Sequence, residues 1–264
     1  SKAVLPYERD PEGGAPTYRR AFHLREAGAH EELLAIVHDL SERLRNGAHP
    51  HRRAKVAGWG LEALSATPPG PDDAALRRSL LEALADAADR LGEREDQRAA
   101  LDELGDLDID VDEEPAAAAH VYLLHARHAA ADGQLGLARG FLRNARELGE
   151  RAAGHRSTER KRLAADRAEV ERLAGELAIE VGDYGRASEH ASRAHALAPD
   201  AVARALARNI EAEVEIHEGR VGSALRKLAA ARRNLRRSGG GRAARAAARA
   251  APSRRCWRRT ARAR

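Results

Sequence analysis

His125 and His128 stand three residues apart in the stretch HVYLLHARHAA. On a helix that spacing puts both imidazoles on one face, where two ring nitrogens could share a metal ion. No acid nearby completes a ligand set, so they are expected to be core or surface histidines, as are His190 and His195. A second candidate is DLDIDVDEEP, residues 106–115, whose alternating aspartates look like the start of a calcium loop. Such a loop needs Gly at its sixth position and Glu at its twelfth. Here those positions hold Val111 and Ala117, so the calcium reading fails. The segment is expected to be a solvated acidic linker that lays Leu107, Ile109 and Val111 on a neighbour. There is no glycine loop of the Walker type, no G-x-S-x-G elbow and no H-E-x-x-H pair. No catalytic residue, metal or cofactor is assigned, and the expectation is a non-enzymatic protein.

The elements that would carry any site are helices. Aromatics make up only 3% of the 264 residues, and alanine and leucine supply most of the apolar content. Both are strong helix formers, and β-branched residues are sparse. Lysine is rare beside arginine, a bias expected of a GC-rich genome, and it weakens any functional reading of arginine as such. The net charge of +5 hides an asymmetry. Residues 232–264 hold thirteen arginines and no acid, which leaves 33 basic against 41 acidic residues elsewhere, a net of −8. Cys256 is the one cysteine, so no disulfide forms within a chain. Residues 1–16 have no apolar signal core, and no run approaches ~18 apolar residues. A cytoplasmic protein without membrane contact is the expectation.

One stretch is organised at fixed steps. In AEVERLAGELAIEVGDYGRASEHASRAHALAPDA, residues 168–201, small residues fall at Gly175, Ala178, Ala187 and Ala194. Gly182-Asp183-Tyr184 marks a turn and Pro199 a stop. This stretch resembles a tetratricopeptide repeat, a 34-residue helix–turn–helix unit. It departs from the family where Glu171 and Ala174 replace large apolar residues. A second copy covers 119–152, with Tyr122, Ala126, Ala129, Gly133, Leu135, Ala138, Leu142 and Ala145 in register. A third starts near Ala205 and keeps Ala212, Gly219, Val221, Ala224, Leu228 and Ala231. The spacing is 49 residues from Gly133 to Gly182 and 37 from Gly182 to Gly219, so the register contains insertions. The first insertion is expected to lengthen a helix across 158–181 and leave a loop at RAAGHRS. Residues 14–47 read as a degenerate copy with Ala21, Gly28, Leu33 and Val37 in register. Helices are also expected over 51–66 and around Leu76 to Ala88.

The resulting expectation is all-α: an α-solenoid of antiparallel helix pairs, a tetratricopeptide-like superhelix. Its parts are a flexible N-terminus (1–13), degenerate helical repeats (14–105), an acidic linker (106–116), clearer repeats (117–236) and a disordered Arg-rich tail (237–264). Stacked pairs bury faces that no single pair can bury alone.

The resemblance implies a concave groove lined by the first helix of each pair. Its positions here hold His120, Leu123, Arg127 and Ala130, then Glu169, Arg172, Glu176 and Ile179, then Leu206, Asn209, Glu213 and Ile216. That lining suits a peptide segment or a partner helix. The alternative is ordinary solvated helix surface with pairs such as Arg172–Glu176. The family's carboxylate-gripping positions hold Leu123, Arg127, Leu173, Leu206 and Ile210, which supply one basic residue and so do not support a chaperone-tail receptor.

In the tail, Arg242, Arg245 and Arg249 would share a face if helical. With Arg254, Arg255 and Trp257 they could meet phosphates and stack on a base. The leading expectation is therefore a protein–protein interaction scaffold or the sensor half of a regulator. The alternative is a nucleic-acid-associated transcriptional regulator anchored by that tail.

Overall fold

The computed structural model describes residues 15–45, 49–70, 72–154 and 160–237. The expected flexible N-terminus, the nucleic-acid candidates of the Arg-rich tail (Arg242, Arg245, Arg249, Arg254, Arg255 and Trp257) and part of the RAAGHRS loop lie outside these. The described residues form eleven helices and no strand: α1 (Ala15–Glu26), α2 (His30–Arg45), α3 (Pro50–Ala66), α4 (Asp73–Leu91), α5 (Arg94–Gly105), α6 (Pro115–Ala131), α7 (Leu135–Ala153), α8 (Arg160–Glu180), α9 (Tyr184–Leu197), α10 (Ala201–His217) and α11 (Val221–Arg237). The all-α, solenoid-like fold class expected from the composition and the repeats is the one observed.

Helices are joined by a turn that recurs. Gly182 closes α8 with φ of 80°, a left-handed conformation that costs glycine little. Its N–H donates to the Ile179 carbonyl, and the Asp183 N–H donates to the Ala178 carbonyl. This double bond pattern satisfies two carbonyls that the helix end would leave orphaned. The same pair of bonds forms at Gly28, Gly92, Gly133 and Gly219, each also at positive φ. Asp183 then caps α9 by accepting from the Arg186 N–H, and Asp200 caps α10 by accepting from Val202 and Ala203. Pro199 lies between α9 and α10, where it cannot extend either.

The chain divides into two compact units, with the boundary between Asp108 and Ile109, inside the acidic segment. In the first unit, Ala21, Leu33, Val37, Val56 and Leu80 are fully buried. Tyr18 packs on Trp59 with ring centroids 5.5 Å apart. A buried ion pair, Arg53 with Asp86, ties α3 to α4, and Arg90 reaches the same carboxylate at 3.2 Å.

In the second unit α6 pairs with α7, α8 with α9, and α10 with α11. The first helices of these pairs also touch one another, α6 on α8 and α8 on α10, whereas the second helices do not. The first helices thus form a contiguous layer. Gly175 is where α8 comes close to its neighbours. A Cβ there would lie 3.2 Å from Ile210 Cδ1 and 3.4 Å from His190 Cβ.

Two sequence expectations need correction. Leu123 is 2% exposed and belongs to the core with Leu142, Val170 and Leu177, so it does not line a groove. Val111 is 41% exposed; of the linker's apolar residues, Ile109 is the one that packs on Ala118, Ala119 and Leu148.

Candidate functional site

The layer formed by α6, α8 and α10 carries the charged residues that the sequence expectation assigned to a groove. His120 on α6 meets Asp166 on α8, with Nδ1 to Oδ2 at 3.0 Å. On α8 the Arg172 guanidinium is held by two carboxylates of its own helix. It donates to Glu169 at 2.6 Å through both Nε and a terminal nitrogen, and to Glu176. The spacings are i−3 and i+4, so both acids lie over the same face as Arg172. Burial alone would lower the Arg172 pKa, but the two carboxylates outweigh it and hold the group well above its ordinary range. Arg127 on α6 is close enough to Glu176 to act on it electrostatically.

Glu213 on α10 sits in the opposite situation. Burial, together with Glu176 and Glu180, pushes its carboxyl above the usual range. Glu176 on α8 thus lies within electrostatic reach of both Arg127 on α6 and Glu213 on α10. Ile179, Leu206, Asn209 and Ile216 complete the lining as half-buried residues. Leu206 leans on Ala205 and Ala231, and Ile179 on Ala178 and Val214, so each presents only part of its surface.

A second charged cluster was not anticipated. Glu171, next to Arg172 in sequence, points the other way. Its side chain is 6% exposed; it accepts from Arg146 Nε of α7 at 2.6 Å and lies 2.7 Å from His190 Nδ1 of α9. Burial would raise its pKa, but the hydrogen bonds from His190 and Arg146 prevail and lower it. Glu171 stands where the tetratricopeptide pattern has a large apolar residue, and that departure was the only signal available. Its two partners lie 25 and 19 residues away in sequence.

The remaining histidines have structural surroundings. His125 stacks near Phe141, with centroids 5.1 Å apart, and His128 lies 3.4 Å from Asp132. Among the described residues no group of three His, Cys, Asp or Glu side chains is placed to hold a metal ion. None of the described helices is long and apolar enough to cross a membrane. At the last pair, Lys227 of α11 bridges Glu211 and Glu215 of α10, each at 3.1 Å.

Comparison with solved structures adds a likeness. No protein-family model matches the chain, and no curated protein matches it. The crystal structure of BtubC (BKLC) from P. vanneervenii resembles it with a TM-score of 0.59 at 17% identity, covering 86% of this chain and 91% of that one. At that identity the likeness concerns the fold alone.

Proposed function

We propose that the layer formed by α6, α8 and α10 is a binding face for a peptide segment or a partner helix. On this reading the chain is a non-enzymatic interaction protein of tetratricopeptide type, a scaffold or the sensor half of a regulator working in the cytoplasm. The observation that carries the proposal is Arg172. A guanidinium anchored by Glu169 and Glu176 has given up its rotamer freedom before any partner arrives, so binding need not supply that entropy. A stiff, charged layer with half-buried apolar residues between the charges matches what a partner segment requires: side-chain pockets for affinity and fixed charges for register. Arg127, Arg172 and Asn209 represent the three helices, and His120, Glu169, Glu176, Ile179, Leu206 and Glu213 complete the surface.

Affinity capture with the native chain and with an Arg127→Ala, Arg172→Ala, Asn209→Ala triple variant tests the proposal. Helicity by circular dichroism should match between the two. A partner identified by mass spectrometry with the native chain should fall at least tenfold with the variant. Equal recovery would remove this face from consideration.

A further inference from the structure

Aromatic residues are scarce in this chain, yet three of them meet on one face of the first unit: Tyr18 and Phe22 of α1 and Trp59 of α3. Trp59 is buried, whereas Phe22, with its ring centroid 6.1 Å away, remains 43% exposed. Two guanidinium groups rest on these rings, Arg52 at 5.3 Å from the Tyr18 centroid and Arg25 at 6.0 Å from that of Trp59. The neighbouring acids, Glu26 and Glu62, are both taken by Arg25. Arg19 stands three residues before Phe22 and Lys55 four before Trp59, so each shares the face of its ring. Both are exposed, and among the described residues neither is paired with a carboxylate. The face is thus aromatic and positively charged at once.

The acidic segment 106–114, DLDIDVDEE, has the complementary character, with six acids and no base. Ile109 anchors it on Ala118, Ala119 and Leu148. Asp110 Oδ1 accepts from the N–H groups of Asp112 and Glu113 at 2.8 and 3.1 Å, which fixes the turn that follows. Val111 is left 41% exposed between acids, and Asp108, Glu113 and Glu114 are exposed as well. The segment follows α5, which touches α4 alone among the described helices, whereas α1 touches α2 and α3. The aromatic face and the helix that leads into the segment therefore lie apart in the packing order of the first unit.

We propose that the acidic segment 106–114 of one copy docks on the α1–α3 face of a second copy. Val111 packs on Phe22, which takes two exposed apolar side chains out of water, and Asp108 and Glu113 meet Arg19 and Lys55. The contact is heterologous, so each copy still offers one segment and one face, and association either closes on itself or continues. A nine-residue segment buries less than the ~1,600 Å² of a standard interface, so the contact is weak and shows itself at high protein concentration. Its ion pairs lie at the surface, and salt weakens them. The inference is independent of the partner reading for α6, α8 and α10.

Sedimentation velocity of the full-length, nucleic-acid-free chain tests it. The weight-average mass should rise with concentration and return to that of the monomer in high salt. An Arg19→Glu, Lys55→Glu variant and an Asp108→Lys, Glu113→Lys variant should each stay monomeric, with helicity by circular dichroism unchanged. Mixed in equal amounts the two variants should associate again, because one supplies an intact segment and the other an intact face. Phe22→Ala should weaken association of the otherwise native chain by about tenfold. A native chain that is monomeric at every concentration overturns the proposal. So does association that survives either charge reversal, or a mixture of the two variants that remains monomeric.

Discussion

Glu171 and Arg172 are neighbours on α8 and make opposite kinds of ionic contact. Glu171 is satisfied by side chains of other helices, Arg146 of α7 and His190 of α9, with its own carboxylate only 6% exposed. Arg172 is satisfied by acids of its own helix, and one of them, Glu176, has a side chain that is 44% exposed. The Arg146 contact joins consecutive helix pairs and is lost if they separate, while the His190 contact ties α8 to its own partner α9. The Arg172 cluster survives separation of the pairs and stiffens a surface. Adjacent positions on one helix thus divide between tying helices together and stiffening the surface of a single helix.

The contrast is most easily broken at Glu171. Glu171→Ala leaves Arg146 and His190 without their buried acceptor, which should cost about 3 kcal/mol in urea unfolding. Because the folded-state pKa of Glu171 is lowered, its contribution is fully present above the ordinary value of 4.5 and is lost as pH falls below it. The native chain should therefore lose stability in that window, and the variant should lose less. A pH series of unfolding midpoints measures the difference.

Close packing comes next in size. Gly175→Leu must displace Ile210 and His190 and should cost about 2 kcal/mol. Gly140→Ala on α7, where a Cβ meets nothing within 4 Å, should instead stabilise by about 0.5–1 kcal/mol. If both glycines behave alike, Gly175 is not a packing residue.

Arg172 should respond in function rather than stability. Arg172→Ala leaves two carboxylates that reach water and should cost no more than about 1 kcal/mol in unfolding, while partner capture falls at least tenfold. The smallest effect is expected at Glu213. Its raised pKa means that ionisation opposes folding, so Glu213→Gln should stabilise by a few tenths of a kcal/mol near pH 7. That gain should vanish as the native carboxyl protonates in acid.

Much of this architecture was legible in the residues. Gly28, Gly133, Gly182 and Gly219 were identified as register points, and all four sit at left-handed turns because helix ends there demand positive φ. Ala21, Leu33 and Val37 were placed in register in the degenerate first copy, and all three are fully buried. The long helix expected over 158–181 runs from Arg160 to Glu180. The turn at Gly92 and helix α5 escaped notice because their neighbourhood, LGEREDQRAALDEL, is highly charged and its apolar stripe is narrow. Leu123 was misassigned because a helical position near the rim of a face can roll toward core or solvent, and periodicity alone does not set that rotation.

The amino-acid sequence by itself determined where helices begin and end, since capping residues, left-handed glycines and prolines act over a few neighbouring bonds. It also determined the i, i+3 and i, i+4 pairs around Arg172, whose geometry belongs to one helix. The tertiary structure alone decided that Glu171 is a buried acceptor, that Leu123 is core, and that Glu213 lies close to Glu176 and Glu180. Each of those depends on which helices come together and how each is rotated, and that follows from packing the whole stack rather than from any local spacing.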